Sequence, residues 1–424
     1  MRRTILAVLF LLLAPAAFGA GTLEYQIFFS THLGMNRNVG VYLPEGYDPA
    51  QPTRYPVIYF LHGWGGNHTS YWYLLQPVLD SMIGAGQIQP CIVVTPNGYI
   101  PPYDGSLWTN SELYGAFEDY LVYDVTTFID ASYRTLPSVR KRSLMGHSMG
   151  AIGTMAVGLS HPEVFGALAG HSGFYNWDRV REEMLDAVLA ENDGPPYDFQ
   201  YGNGTYTSAV FMIAGGYSPN LDNPPTHVDY PLDAQGNVVE DVITRWVAHN
   251  PDVLAAALPP EAVPDIFFDC GDQDEFFMYP TNCDLAAAFD AMGIDYTFEP
   301  FVGGHNLTQT RLRHSLAFLD AAMNNPASAG ETEEAAALEL RLAPSLLGPL
   351  QASTAIRFEM PVSGRAALRI VGPDGRCLVT VLDGIVAGGA QSVRWRPQGL
   401  PAGVYFCEFA TGGSRATQKL VVQR

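Results

Sequence analysis

The amino-acid sequence predicts an α/β fold with a doubly wound, mostly parallel sheet, followed by a small all-β sandwich. Across the first 324 residues, short apolar runs alternate with stretches of helical spacing, the order expected when strands and crossover helices build a parallel sheet. Glycine and polar residues cluster directly after these runs, at the strand ends where such sheets carry their chemistry. Beyond residue 340 the pattern changes to short strands separated by glycine, which is typical of a β-sandwich.

Length and composition predict a globular protein of two or three domains. The chain has 424 residues, of which 47% are hydrophobic, enough to build a large core. Its formal net charge of −20 would be repelled by phosphate backbones and by anionic lipid surfaces. We therefore expect neither nucleic acid nor an anionic membrane as a partner.

Residues 1–20 have the organisation of a secretory signal peptide. Arg2 and Arg3 precede an apolar run over residues 5–13, and small residues follow at 16–20. The run is too short to span a bilayer, and no later stretch is apolar for long enough. The sequence predicts an exported protein, secreted or at the cell surface, without a membrane span.

The five cysteines leave at least one thiol free, because their number is odd. Cys270 with Cys283, or Cys377 with Cys407, could form disulfides, and the sequence does not decide the connectivity. No C-x-x-C or histidine-rich spacing is present, so we predict no structural zinc. We also expect no cofactor.

Residues 21–324 are predicted to form the first domain. Eight strands are predicted, at residues 25–29, 38–43, 56–61, 91–94, 143–145, 167–169, 265–270 and 296–301. The main predicted helices lie at residues 71–83, 112–129, 151–159, 182–189 and 281–292. A closing helix follows the last strand and ends near residue 323.

The regular pattern loosens over residues 177–264, which we interpret as a lid or substrate-binding insertion. Residues 194–231 are rich in Gly, Pro, Asn and Tyr, and long irregular segments in compact domains are usually lids or binding loops. Four aromatic residues here either line a pocket or pack beneath a loop: Tyr197, Phe199, Tyr201 and Tyr206.

An Ala/Glu/Ser-rich segment at residues 325–340 lacks a core pattern and is predicted to be a linker. The second domain then covers residues 341–424. Its predicted strands lie at residues 365–371, 377–382, 391–395, 404–410 and 418–422.

The strongest chemical signal is RSLMGHSMG at residues 142–150. A short apolar push leads into G-x-S-x-G, and a small-residue helical stretch follows at once. This is the strand, turn and helix order of a nucleophile elbow carrying Ser148. A serine hydroxyl is a weak nucleophile, so the elbow matters only if a base and an oxyanion site face it.

A base and an acid are available at later strand ends. His305 follows two glycines after one strand, and Asp272, Asp274 and Glu275 follow another. The chain order of serine, acid and histidine is that of a hydrolase triad, in which the histidine takes the serine proton and the acid orients the imidazole. The Met149 amide at the helix start supplies one oxyanion donor, and residues 62–66 supply a second, most plausibly the Trp64 amide.

Several motifs together resemble one branch of the α/β-hydrolases. They cover residues 41–47 (VYLPEGY), 55–63 (YPVIYFLHG), 110–111 with 118–120, 146–150 (GHSMG), 269–276 (DCGDQDEF) and 303–305 (GGH). Residues 23–322 thereby resemble the esterase family that includes feruloyl esterases, acetyl esterases, S-formylglutathione hydrolases and mycolyltransferases. The resemblance implies Asp274 rather than Asp272 as the acid, three residues after the strand-end glycine. It also implies Trp64 and Met149 as oxyanion donors.

The C-terminal region resembles the small Ig-like domains behind secreted bacterial enzymes, including type IX secretion sorting domains. The matching stretches are residues 353–358, 374–376 and 400–406, although the usual Pro-Asn-Pro opening is missing before Gln351. The resemblance implies that secretion machinery is a possible partner. An inert spacer is the alternative, and a binding module is a weaker one, because Trp395 is the only tryptophan there.

We therefore predict a serine esterase that cleaves carboxylic esters, small or linked to a polysaccharide, through an acyl-enzyme and without metal or cofactor. Candidate substrate contacts are His62, His147 and Trp177. Acyl transfer to a sugar or another alcohol is an alternative, because either water or alcohol can intercept the same intermediate. A non-catalytic carbohydrate- or surface-binding protein on a hydrolase scaffold is the alternative from another class.

Overall fold

The structure, a computed structural model, describes residues 19–324, 340–343, 346–347, 353–360, 364–372, 376–386, 389–397, 399–411 and 414–423. Residues 1–18 of the predicted signal peptide and residues 325–339 of the predicted linker lie outside the described residues. In the described part of the chain, no helix is both long enough and apolar enough to cross a membrane.

Eight strands form one sheet in residues 19–324, as the sequence predicts. Their order is β1-β2-β4-β3-β7-β8-β9-β10. The six strands β4, β3, β7, β8, β9 and β10 run parallel to one another, whereas β2 pairs antiparallel with both of its neighbours, β1 and β4. Two further strands, β5 and β6, form a short hairpin of their own. The bounds are β1 Thr22–Ser30, β2 Met35–Leu43, β3 Val57–Leu61, β4 Ile92–Pro96, β5 Asn110–Ser111, β6 Gly115–Ala116, β7 Arg142–His147, β8 Ala167–His171, β9 Asp265–Gly271 and β10 Thr297–Phe301.

Helices connect these strands and cover both faces of the sheet. Their bounds are α1 Trp72–Gly84, α2 Phe117–Asp119, α3 Thr126–Ser132, α4 Met149–Ser160, α5 Val180–Glu183, α6 Leu185–Ala190, α7 Thr205–Tyr217, α8 Glu240–Val247, α9 Pro251–Ala256, α10 Met278–Met292 and α11 Gln309–Asn324. A π-helical segment, Tyr120–Val125, joins α2 to α3.

The central strands are buried on both faces, which explains their continuously apolar sequences. In β3, Val57, Tyr59 and Leu61 belong to the core on the α3, α4 and α7 side, and Ile58 and Phe60 belong to the core on the α1 and α11 side. Successive strand residues point to opposite faces, so both faces of a doubly covered strand must be apolar. The predicted doubly wound, mostly parallel sheet is confirmed.

Two expectations from the sequence need correction. The helix predicted over residues 112–129 begins only at Phe117, because Gly115 and Ala116 form the second strand of the β5–β6 hairpin. The segment at residues 194–231, expected to be irregular, contains the thirteen-residue helix α7. Every α7 residue from Thr207 to Tyr217 is buried, so this helix has no polar face to mark it in the sequence.

Residues 177–264 form a helical insertion between β8 and β9. It contains α5 to α9 in addition to connecting loops. Trp177 and Trp246 are fully buried at its base and pack edge-to-face with ring centroids 5.9 Å apart. The insertion is therefore anchored to the main core rather than hanging free over the sheet.

The described residues beyond 340 form two sheets with a core between their strands. One sheet has the order β11-β13-β16 and the other β12-β18-β17-β14-β15, and every pairing except that of β12 with β18 is antiparallel. The bounds are β11 Leu340–Ala343, β12 Leu346–Leu347, β13 Thr354–Met360, β14 Gly364–Val371, β15 Cys377–Val386, β16 Gly389–Trp395, β17 Gly403–Thr411 and β18 Ser414–Val422. The pattern of short strands expected from the sequence is present.

All five cysteines lie in the described part of the chain, and none forms a disulfide. Neither of the two pairs that the sequence allowed is formed. Cys91, Cys270 and Cys407 are buried among apolar side chains, and burial raises the pKa of each of these thiols. They are packed as small apolar residues.

Candidate active site

The turn between β7 and α4 holds Ser148 in a strained conformation. Ser148 has φ 58° and ψ −122°, a backbone conformation that residues other than glycine rarely adopt. A Cβ on Gly146 would lie 2.2 Å from the Gly150 carbonyl oxygen, and a Cβ on Gly150 would lie 1.9 Å from the Leu61 carbonyl oxygen. Glycine at both positions lets strand and helix cross this closely. The elbow geometry expected from the sequence is present.

Two backbone amides beside Ser148 have no hydrogen-bond acceptor among the described residues. One is the amide of Met149, the first residue of α4, and the other is that of Trp64 in the loop after β3. The first amides of a helix have no partner within the helix, and the helix dipole favours negative charge beside them. Both residues line the same cavity as Ser148. They are therefore available to hold a negatively charged oxygen.

His305 and Asp274 come together at the ends of the neighbouring strands β10 and β9. Nδ1 of His305 lies 2.8 Å from Oδ2 of Asp274, whose side chain is fully buried. Burial acts to raise the pKa of Asp274, but the hydrogen bonds from His305 and from the Phe276 amide hold it below its usual value. The ionised carboxylate accepts a hydrogen bond from the Nδ1–H group of His305, which leaves Nε2 as the basic nitrogen.

The other two acids of this loop bind backbone amides instead. Oδ1 of Asp272 accepts a hydrogen bond from the Gly303 amide at 3.2 Å. Oε2 of Glu275 accepts one from the His305 amide at 3.0 Å. The structure thus separates three acids that are adjacent in sequence, because only Asp274 contacts the imidazole of His305.

His62 does not line the cavity, in contrast to the expected substrate contact. Its side chain is buried under the loop that carries Trp64, where Nδ1 donates to the Gly63 carbonyl at 2.8 Å and Nε2 accepts from the Gly98 amide at 2.9 Å. Burial lowers the pKa of His62 to about 4, so the ring is neutral at neutral pH. His62 therefore supports the loop from below.

His147 lines the cavity, but protein groups engage both of its ring nitrogens. Nε2 donates to the His305 carbonyl oxygen at 2.8 Å, and Nδ1 accepts from the Tyr71 hydroxyl at 2.9 Å. Burial lowers the pKa of His147 to about 3, which keeps the ring neutral. A substrate could touch the ring but would find neither nitrogen free.

A cavity of about 200 Å³ opens beside Ser148 and His305. Its remaining walls are largely apolar, and the insertion supplies half of the apolar residues named next. The apolar lining residues are Met149, Ile152, Phe174, Trp177, Met184, Ala209, Met212, Ile213, Phe276 and Met278. Four of these are methionines, whose flexible side chains adapt to the shape of a ligand.

Trp177, the third candidate substrate contact, is fully buried at the wall of the cavity. It lines the cavity and packs edge-to-face on Tyr217, with ring centroids 5.6 Å apart. Its indole nitrogen has no hydrogen-bond partner among the described residues. Trp177 therefore shapes the apolar wall.

The four aromatic residues of the expected lid do not line this cavity. Tyr197 stacks on Phe199, with ring centroids 5.4 Å apart. The Tyr201 hydroxyl donates to the Asp104 carboxylate at 2.9 Å, and the Tyr206 hydroxyl donates to the Glu275 carbonyl at 2.9 Å. They hold the insertion against neighbouring loops.

Three contributors to the site were not predicted from the sequence: helix α7, Tyr71 and Phe276. Helix α7 provides Met212 and Ile213 to the cavity, and Phe276 packs on the imidazole of His305 with ring centroids 4.8 Å apart. The run AVFMIA in α7 was an available signal, since six consecutive apolar residues indicate a buried element. Nothing in the sequence marks Tyr71, whose role depends on contacts with distant residues.

No group of three or more His, Cys, Asp or Glu side chains is placed to hold a metal ion in the described part of the chain. The polar side chains around the cavity are those of Ser148, His305, His147 and Tyr71. With Asp274 behind His305, these groups can perform nucleophilic and acid–base chemistry at a carbonyl carbon.

The chain matches the model of one known protein family. The family model described as Putative esterase matches residues 30–317 of the 424-residue chain. The chain belongs to this family. The match covers the whole eight-stranded sheet except most of β1, and it includes the elbow, the strand-end acids and His305.

Among curated proteins, the chain is similar to parts of larger enzymes. It is 34% identical over 159 residues to an endo-1,4-beta-xylanase/feruloyl esterase of Xylanibacter ruminicola, covering 34% of this chain and 21% of that protein. It is 26% identical over 256 residues to endo-1,4-beta-xylanase Y of Acetivibrio thermocellus, covering 55% of this chain and 23% of that protein. The chain thus spans less than a quarter of the length of either relative.

Solved structures share the fold. A ferulic acid esterase superposes with a TM-score of 0.52 at 19% identity, covering 72% of this chain and 99% of its own. A fluorophosphonate-binding serine hydrolase of Staphylococcus aureus superposes with a TM-score of 0.50 at 18% identity, covering 72% of this chain and 100% of its own. At these identities the likeness establishes the α/β-hydrolase fold, as the sequence resemblance implied.

Proposed function

We propose that this protein is an exported serine esterase that hydrolyses carboxylic esters through Ser148, His305 and Asp274. The observation that carries the proposal is the convergence of three separate strand ends on one cavity. Ser148 stands at a strained elbow, and His305 is hydrogen-bonded at 2.8 Å to the buried carboxylate of Asp274. Membership of the esterase family supports the same reaction.

In the proposed first half-reaction, Oγ of Ser148 attacks the ester carbonyl carbon. Nε2 of His305 accepts the hydroxyl proton as the Oγ–C bond forms, and Asp274 stabilises the resulting imidazolium. The carbonyl π electrons move onto the oxygen, which becomes an oxyanion. When the tetrahedral intermediate collapses, the imidazolium donates its proton to the departing alcohol, and an acyl-enzyme remains on Ser148.

The oxyanion requires donors that are already in place. The free amides of Trp64 and Met149 meet this requirement without any charged side chain, and the start of α4 adds its dipole. The Trp64 loop is held by the Gly65 amide, which donates to the Asp104 carbonyl at 3.0 Å, and by His62 beneath it. Deacylation repeats the same proton transfers with water as nucleophile and releases the acid.

The apolar cavity is the proposed acyl site. An aryl or alkyl acyl chain would lie among Met184, Met212, Ile213 and Trp177, and the alcohol would leave toward solvent. Because one relative is a xylanase/feruloyl esterase, we propose esters of hydroxycinnamic acids, small or polysaccharide-linked, as the first substrates to examine.

Each segment of the chain has a proposed role, and the two ends are proposed to act in export. Residues 1–20 would direct secretion and be removed, residues 21–324 would form the catalytic domain with its insertion at 177–264, and residues 325–340 would act as a linker. Residues 341–424 would form an Ig-like sandwich that engages secretion machinery. Loss of the protein from the culture medium after deletion of residues 341–424, with normal cellular levels, would support this role.

The decisive experiment compares the purified protein with Ser148→Ala on p-nitrophenyl acetate, p-nitrophenyl butyrate and methyl ferulate. The wild type should show turnover and a covalent fluorophosphonate adduct on the peptide that contains Ser148, and the variant should show neither. Equal rates in both proteins would refute the esterase proposal. Addition of an alcohol acceptor would reveal acyl transfer as a new ester product.

A further inference from the structure

We infer that the hydrogen-bonded pair Tyr71 and His147 positions the general base His305. The pair sets His305 relative to the nucleophile elbow and to the oxyanion loop, the loop at residues 62–66 that carries Trp64. The Tyr71 hydroxyl lies 2.9 Å from Nδ1 of His147, and Nε2 of His147 lies 2.8 Å from the carbonyl oxygen of His305. The inference rests on the proposed esterase function and adds two positioning residues to it.

The pair connects three segments that are far apart in sequence. His147 directly precedes Ser148 at the elbow, and its ring reaches the backbone of His305, 158 residues further on. Tyr71, just before α1, contacts the oxyanion loop: a Cβ on Gly63 would lie 3.1 Å from the Tyr71 hydroxyl oxygen.

Gly63 is tightly packed at this contact. An added Cβ would also lie 3.2 Å from the His147 carbonyl oxygen and 3.3 Å from Cβ of Ser148. Three neighbours at such short distances leave little room for adjustment. The oxyanion loop, the elbow and Tyr71 therefore meet at one crowded point.

The direction of each hydrogen bond in the pair is determined. The carbonyl of His305 can only accept, so Nε2 of His147 carries the proton. The ring is neutral, so its Nδ1 is an acceptor and the Tyr71 hydroxyl is the donor. Burial raises the pKa of Tyr71 to about 12, which keeps this proton in place at neutral pH.

His305 is thereby held at three points. His147 binds its carbonyl oxygen, Glu275 binds its amide at 3.0 Å, and Asp274 binds Nδ1 of its ring at 2.8 Å. The ring of His147 also lies against that of His305, with centroids 4.8 Å apart. Loss of the carbonyl contact frees the loop on one side and allows Nε2 to drift from Ser148. Misplacement of a catalytic group by about 1 Å can cost on the order of 100-fold in rate.

The test compares His147→Leu with His147→Gln. Leucine fills the space but cannot donate to the His305 carbonyl, whereas the glutamine amide can. On p-nitrophenyl butyrate we expect His147→Leu to lower kcat roughly 30- to 100-fold with KM within about threefold of wild type, and His147→Gln to recover most of the loss. Reaction with a fluorophosphonate should slow in parallel, since it also depends on Ser148 and His305.

Tyr71→Phe removes a single hydroxyl and should lower kcat roughly 3- to 10-fold with little change in KM. Its matched control is Tyr42→Phe, which deletes another buried hydroxyl, bonded to Asp80 at 2.9 Å, away from the cavity. If the pair acts as a unit, adding Tyr71→Phe to His147→Leu should cost almost nothing further. Tyr42→Phe should keep wild-type kcat.

A wild-type kcat in His147→Leu, or an equal loss in Tyr42→Phe and Tyr71→Phe, would overturn the inference. Should His147→Leu fail to fold, the comparison of Tyr71→Phe with its control Tyr42→Phe still tests the inference. An inactive wild type would instead refute the proposed function. The effect of the positioning pair is measured as a change in turnover that depends on Ser148, so it can be tested only in an active protein. The two failures are therefore distinguishable.

Discussion

In the part of the chain that the structure describes, two Ser–His–Asp arrangements lie at neighbouring strands of the sheet, and of these two only the one with Ser148 lines the cavity. They are Ser148 with His305 and Asp274, and Ser315 with His171 and Asp269. In the second, Nδ1 of His171 lies 2.7 Å from Oδ2 of Asp269 and Nε2 lies 2.9 Å from Oγ of Ser315. The histidine–carboxylate distances are nearly the same, 2.8 Å and 2.7 Å.

The surroundings make the difference. All three members of the second arrangement are buried, and Asp269 also forms an ion pair with the guanidinium of Arg311. Ser315 lies within α11 rather than at an elbow, and none of the three lines the cavity. A Ser–His–Asp arrangement therefore does not by itself make an active site. Access for a substrate and free amides for an oxyanion distinguish the proposed triad from a structural network.

The largest expected difference lies between the two serines. Ser148→Ala should lower kcat/KM by a factor of roughly 10⁴ to 10⁶, because the other hydroxyl that lines the cavity among the described residues, that of Tyr71, is hydrogen-bonded to His147 and does not stand at the elbow. Ser315→Ala should stay within about threefold of wild type. Initial rates with p-nitrophenyl butyrate and mass spectrometry after fluorophosphonate treatment measure both. Labelling of Ser315 in the folded protein would contradict the comparison.

The two aspartates should fail in different ways. Asp274→Asn should lower kcat by a factor of about 10³ to 10⁴ with little loss of stability, because the imidazolium of His305 loses its countercharge. Asp269→Asn should instead lower the free energy of unfolding by about 3–5 kcal/mol, since it leaves the buried Arg311 without a carboxylate. Urea denaturation beside kcat separates the effects. A stability loss for Asp274→Asn equal to that for Asp269→Asn would argue against distinct roles.

Closing the cavity should make the first arrangement resemble the second. Ala209, on α7, lines the proposed acyl site, and Ala209→Phe would fill part of the 200 Å³ space. We expect kcat/KM for p-nitrophenyl butyrate and methyl ferulate to fall roughly 10- to 100-fold, and that for the acetate to change by less than about threefold. Equal losses on all three esters would indicate a general disturbance of the site rather than a narrower acyl pocket.

A third histidine–carboxylate contact, that of the largely buried His161, lies outside the cavity lining and should give the smallest effect. Burial acts to lower the pKa of His161, but Glu118 at 2.8 Å and Glu163 at 3.3 Å raise it to about 9, above its usual 6.5. The folded state therefore favours the protonated ring. This stabilisation is complete below about pH 6.5 and is lost as the pH rises through about 9.

His161→Gln should accordingly lower the free energy of unfolding by about 1–2 kcal/mol at pH 6 and by almost nothing at pH 10.5. Urea denaturation at the two pH values measures this difference. His314→Gln, which removes a half-exposed histidine beside Glu299, is the control and should cost less than about 0.5 kcal/mol. A loss for His161→Gln that does not change with pH would contradict the assignment.

Much of the fold was predictable because local patterns determine it. The apolar runs over residues 56–61 and 91–94 are strands buried on both faces, and the glycines at 146 and 150 mark a close crossing that no other residue allows. The helix α7 was not predictable in this way. Its burial on all sides removes the amphipathic period, and the glycines and prolines around it resemble a loop.

The histidines show where sequence reasoning stops. His62, His147, His171 and His305 all stand at strand ends or next to them, and residue type does not tell them apart. Their tertiary contacts determine their different roles. His62 supports a loop, His171 is buried and hydrogen-bonded to Asp269, and His147 binds the backbone of His305. These contacts join residues far apart in the chain, and their energies depend on burial that no local pattern reports.

Local sequence patterns account for the layer architecture, the elbow around Ser148 and the chain order of the proposed triad, because these depend on apolar periodicity, glycine and strand order. The family resemblance implied Asp274 as the acid, and the fold brings Asp274, rather than Asp272 or Glu275, against the imidazole of His305. Tertiary packing alone placed helix α7 along the wall of the proposed acyl site. The physical reason is distance. Strand ends from different parts of the chain meet only when the sheet forms, and burial then distinguishes chemically identical side chains.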